Sequence, residues 1–120
     1  MLEIVYQGLD KVKIAKLQSL RRDFETLQMK ELQMVDTFMT LVLGMINHMK
    51  SYGEDISDIR VVEKILKSLP PRFNSLVVAI EETKDMDAYS MDELQASLIS
   101  HEYQLRRSND DSMENAFKTQ

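Results

Sequence analysis

The sequence predicts an all-α fold, a compact bundle of about five helices, on three observations. Apolar residues recur three and four apart in successive windows, which is the period of one helical face. Gly and Pro number only 3 and 2 in 120 residues, leaving little material for tight hairpins. The one apolar run compatible with a buried strand, Leu76–Ile80, has no partner strand elsewhere, so helix is favoured there too.

Each element follows from its own residues. Asp10 is a suitable N-cap, and Ile14, Leu17, Leu20, Phe24 and Leu27 then share one helical face. A polar join at 30–33 leads to the clearest stripe: Val35, Phe38, Met39, Val42, Met45, Ile46 and Met49, with Leu41 and Leu43 beside it. Gly53 is placed to end that helix, since the lack of a Cβ removes the penalty on a left-handed residue. Ser57 caps a third helix whose inner stripe is Val62, Ile65, Leu66 and Leu69, and Pro70-Pro71 stops it. Pro71 opens a fourth, with Phe73, Leu76, Val77 and Ile80 facing inward. The acidic join at 81–87 reads as a solvated loop. Ser90 and Glu93 then form a capping box, Tyr89 and Leu94 a hydrophobic staple, and Leu94, Leu98, His101 and Leu105 the last stripe.

The expected organisation is a short leading segment at 1–9, a helical domain at 10–106, and a polar, mobile tail at 107–120 in which Met113, Ala116 and Phe117 offer a weak second patch. The expected core is Phe24, Val35, Phe38, Val42, Ile46, Val62, Leu66, Leu69, Leu76 and Leu98.

Composition removes several functions. With no Cys there is no disulfide scaffold, Cys-ligated zinc or thiol nucleophile, and with no Trp there are few platforms for stacking bases. A net charge of −5 argues against a general grip on nucleic acid, which needs a positive surface. No apolar run approaches the roughly 20 residues of a membrane span, and residues 1–6 lack the pattern of a signal peptide. Neither histidine suggests catalysis: His48 lies near a helix end and His101 beside an apolar stripe, on different helices. Glu54, Asp55 and Asp58 cluster without the ligand spacing of a calcium loop, and Asp85, Asp87, Asp110 and Asp111 fare no better. No catalytic residue, metal, cofactor, membrane or small-molecule substrate is therefore expected. The only basic concentration, Lys11, Lys13, Lys16, Arg21 and Arg22, is interrupted by acids and reads first as a charged face, with weak RNA contact as the alternative.

Three stretches taken in order carry a resemblance: residues 16–30 (KLQSLRRDFETLQMK), residues 60–73 (RVVEKILKSLPPRF), and residues 79–85 (AIEETKD) leading into Ser90–Leu94 and His101-Glu102. This order resembles the Gag polyprotein of copia-type LTR retrotransposons, and the likeness runs from about Tyr6 to Leu105. The resemblance implies a capsid protein with the fold of the C-terminal lobe of retroviral and retrotransposon capsids, one that dimerises and helps assemble a virus-like particle around RNA. On that comparison Gln33, Val35, Asp36, Phe38 and Leu41 fall on the turn corresponding to the retroviral major homology region. The family usually has Glu near Gln33, a basic residue near Leu41 and a Ser or Thr cap at the position of Met34; all three are missing here.

The resemblance also implies that the helix from Ser57 to Leu69 meets its twin across a two-fold axis, through Ile59, Arg60, Val61, Lys64 and Ser68. Val61 is expected at the rim of the inner stripe, against its own copy or Ile59. The implied partner is a second copy of the chain, with higher assembly through a missing N-terminal lobe and RNA met only indirectly or weakly. The chain is expected to begin partway into the family pattern, as an excised piece or a truncated, domesticated gene product. The implied location is the cytoplasm, with the nucleus left open. Two alternatives stand beside this reading: an adaptor offering a Met-rich helical groove to a partner peptide, and the weak RNA module.

Overall fold

The computed structural model describes the backbone of residues 2–83 and 89–118 and the side chains of residues 10–83 and 89–109. Among the described residues there are five α-helices and no strand: α1 (Leu2–Glu25), α2 (Val35–Ser51), α3 (Asp58–Ser68), α4 (Asn74–Glu82) and α5 (Met91–Lys118), with a single 3-10 turn at Pro71–Phe73 leading into α4. The all-α reading holds.

The punctuation between helices is local chemistry. Gly53, at φ +94°, follows the last turn of α2; its N–H donates to the Lys50 carbonyl at 3.0 Å and the Glu54 N–H to the Met49 carbonyl at 3.0 Å. These are the paired bonds of a Schellman motif, which needs a left-handed residue at this point. The Ser57 hydroxyl accepts from the Arg60 amide, and the Ser90 hydroxyl accepts from the Glu93 amide at 3.1 Å. Leu69 and Pro70 are extended, as residues before proline prefer, and Pro71 opens the 3-10 turn that leads into α4.

Three boundaries differ from expectation. Asp10 caps nothing, because α1 starts at Leu2 and runs straight through Gly8 and Asp10. One interior Gly costs about 1 kcal/mol against Ala and does not end a helix that has good formers on both sides. At the other end α5 continues past Arg107 to Lys118. The polar run at 108–112 holds no Gly or Pro, and Ser, Asn and Asp each lower helix propensity by only tenths of a kcal/mol, roughly. Glu81 and Glu82, expected in a loop, are the last turn of α4. Residues 84–88 and the side chains of Asp110, Asp111, Met113, Ala116 and Phe117 lie outside the described residues.

One core joins all five helices. Phe24 of α1, Val35, Phe38, Met39, Val42 and Met49 of α2, Val62, Ile65 and Leu66 of α3, Phe73 and Ile80 around α4, and Leu94 and Leu98 of α5 are all buried. Of the expected core residues, Ile46, Leu69 and Leu76 are half-buried and pack against this cluster. Every buried side-chain nitrogen and oxygen among the described residues has a hydrogen-bond partner. The bundle carries two long helices beyond its core. The radius of gyration is 19.4 Å, whereas a compact chain of this length would have roughly 13–14 Å. The molecule measures 78 × 35 × 19 Å. Residues 10–16 of α1 are exposed, and among the described side chains α1 first meets the core at Leu17 and Leu20.

Candidate functional site

The turn between α1 and α2 is braced by side chains from distant parts of the chain. Its problem is set by sequence: α2 begins at Val35 behind Met34, which has no side-chain oxygen, and Met34 makes no capping bond. The first amides of a helix lack intrahelical partners, so the fully buried Val35 needs an acceptor from elsewhere. Glu102 of α5 supplies it: its carboxylate accepts from the Val35 N–H at 2.9 Å. A carboxylate at this end of a helix also meets the positive end of the helix dipole.

Other groups close the bracket. The Arg72 guanidinium donates to the Gln33 carbonyl at 2.8 Å, and the Gln33 side-chain oxygen accepts from the Lys30 amide at 3.1 Å. The His101 ring donates through Nε2 to the Arg72 carbonyl at 3.1 Å and lies on Phe73, with ring centroids 5.4 Å apart. Gln33, Arg72, His101 and Glu102 thus tie the turn to the start of α4 and the middle of α5. His101 is satisfied by this bracket; His48 is exposed at the C-terminal end of α2, where its carbonyl caps the helix. Sequence reasoning does not find Glu102 and Arg72 as bracing residues, although both lie in the stretches that carry the resemblance. The available signal is the uncapped start at Met34.

The remaining residues of this turn divide by side. Val35 and Phe38 are core, while Asp36 and Leu41 face outward. Asp36 accepts from the Thr37 amide at 2.8 Å, and Leu41 is 49% exposed.

The expected self-association face on α3 needs correction. Val61 and Ser68 are each only 2% exposed, so neither is at a rim; both face the interior of the chain itself. The reason is the segment after α1, which lies along this side of α3. The Met29 N–H donates to the Ser68 carbonyl at 2.8 Å, and the Lys64 ammonium to the Glu25 carbonyl at 2.6 Å. Arg60 stands 3.8 Å from the Glu25 carboxylate. Of the five residues, Ile59 alone is an exposed apolar side chain.

The basic residues of α1 do not gather on one face. Lys11, Lys13 and Lys16 are exposed but spread around the helix at about 100° per residue. Arg21 pairs with Glu54 at 2.5 Å, which joins α1 to the loop after α2 and uses one acid of the Glu54, Asp55, Asp58 cluster. Among the described residues no group of His, Asp and Glu is arranged to hold a metal ion. The cleft beside the bracket, between Glu31, Leu32, Gln33 and Met34 on one side and Glu102, Leu105 and Arg106 on the other, is about 250 Å³. That is below the roughly 300–1,000 Å³ usual for small-molecule sites.

A family model described as the gag-polypeptide of LTR copia-type matches residues 1–111. No curated protein and no solved structure matches the chain. With nearly the whole sequence matched and an all-helical fold behind it, the chain belongs to the gag-polypeptide family of copia-type LTR retrotransposons, a family of structural proteins.

Proposed function

We propose that this chain is a self-association lobe of a Gag capsid, forming homodimers and contributing to a virus-like particle assembled around RNA in the cytoplasm. It works by contact and catalyses nothing. The observation that carries the reading is the outward apolar surface of a domain whose core is otherwise closed. Leu32, Leu41, Ile99 and Tyr103 are exposed along neighbouring clefts, and Leu43, Val78, Val12, Ile14 and Ile59 are exposed as well. Apolar side chains left outside a filled core mark surfaces meant for a partner when they adjoin one another. The Met-lined groove of the adaptor alternative has little support, since Met29, Met39 and Met49 are inside the core. The scattered lysines of α1 give RNA no concentrated positive face.

The test is molar mass by light scattering over a concentration series, paired with an RNA gel shift in the same buffer. Mass rising toward twice that of one chain, with RNA bound weakly or not at all, is the expected outcome. A chain that stays monomeric at high micromolar concentration, or that binds RNA tightly as a monomer, refutes the reading.

A further inference from the structure

We propose that the contact between copies is made by the face where the start of α2 meets the middle of α5, and that its occupant is a second copy of this chain related by a two-fold axis. The inference rests on the self-association reading and names its surface. Three adjoining clefts cover this face. One holds Leu32, the next Ile99 and Tyr103, and the third Leu41; the first two share Arg106 and the last two share Asp36. These four apolar residues are 97%, 43%, 66% and 49% exposed. Of the other exposed apolar residues, Val12 and Ile14 are two apart on α1, about 200° around the helix from each other, and Leu43, Ile59 and Val78 line none of these three clefts.

Charge selects the occupant. Two copies that each carry −5 repel at a distance, so a contact between them needs local pairing of opposite charges. Asp36 and Arg106 lie on the same cleft, and among the described residues neither forms an ion pair within its own chain. Among the described residues the Arg106 side chain donates only to the Met34 sulfur, and the Asp36 carboxylate accepts only from the Thr37 amide. An isologous contact sets each residue of a patch against the other's copy, so one two-fold axis forms the Asp36–Arg106 pair twice. Tyr and Arg are also the side chains that most often anchor such contacts.

The experiment uses the full chain and two charge reversals, Asp36→Arg and Arg106→Asp, with circular dichroism to show that each stays helical. Alone, each variant sets like charges face to face, and its dimer dissociation constant should rise by about tenfold or more. Mixed in equal amounts, the two restore both opposite pairs, so dimer should return as a heterodimer. Tyr103→Arg, at an exposed position with no buried partner to lose, should also give monomer, whereas Ile59→Arg on α3 should not. A wild-type dimer that survives Tyr103→Arg, or variants that fail to recover on mixing, would overturn this surface and leave self-association standing. A wild-type chain that never associates overturns both, and the face then belongs to a different protein.

Discussion

Replacing Glu102 with Ala should weaken the whole fold, because it removes the acceptor that closes α2 from a helix 67 residues away. The Val35 amide is fully buried and has no intrahelical partner. A hydrogen bond to a charged group contributes about 1.5–3 kcal/mol, and an unpaired buried amide costs about 1–3 kcal/mol. These figures describe one loss from two sides and are not added, so the expected destabilisation is about 2–3 kcal/mol. At about 3–6 °C per kcal/mol for a chain of this size, the melting temperature should fall by about 6–18 °C. Glu102→Gln keeps an oxygen acceptor and loses the charge, so roughly half the effect should remain. Urea unfolding followed by circular dichroism gives the free energies, and hydrogen exchange at the Val35 amide reports the bond itself. If Glu102→Ala lies within about 0.5 kcal/mol of wild type, the size expected of an ordinary surface change, the bracing argument is wrong.

The other predictions concern the core and two glycines, Gly53 and Gly44. Phe38→Ala opens a cavity at a fully buried position and should cost about 3–5 kcal/mol in the same urea assay. Gly53→Ala should cost about 1 kcal/mol: the left-handed backbone carries a penalty, a new Cβ would meet nothing within 4 Å, and reduced freedom of the unfolded chain offsets part of the loss. Gly44→Ala has the opposite sign, since this mid-helix position also has nothing within 4 Å of a new Cβ, and it should stabilise by about 1 kcal/mol. Val61→Asp should unfold the chain, with loss of the helical signal in circular dichroism, because an unpaired carboxylate would enter the core.

Local signals are legible in the sequence and distant partnerships are not. Gly53, Ser57, Ser90 and Pro70-Pro71 act within a few residues of themselves, and the structure uses each as its chemistry suggests. Met34 is legible as a deficit, a helix start without a cap. The carboxylate that fills the deficit cannot be chosen from sequence, because only the packing of α5 on α2 decides which acid arrives there. The extents of α1 and α5 escape the sequence for a different reason. Asp10 and the polar run at 108–112 are good cap and tail residues, yet each is also tolerated inside a helix, and local preference does not decide between those uses.

α3 shows why a surface inferred from charged residues can already be occupied. On a helical wheel Val61 lies about 40° from Ile65, so it can either flank the core or join it. Arg60, Lys64 and Lys67 suggest a solvated side next to it. A lysine, however, can lay its stem along apolar surface and use its ammonium to cap another helix's carbonyl. Lys64 does this at Glu25, the Met29 N–H beyond it donates to the Ser68 carbonyl, and Val61 is buried within the chain. The end of α1 and the residues after it therefore lie against this side of α3. A small domain with that side closed can offer its partner only what still points outward, and on this chain the adjoining outward groups belong to α2, α5 and the turn before α2.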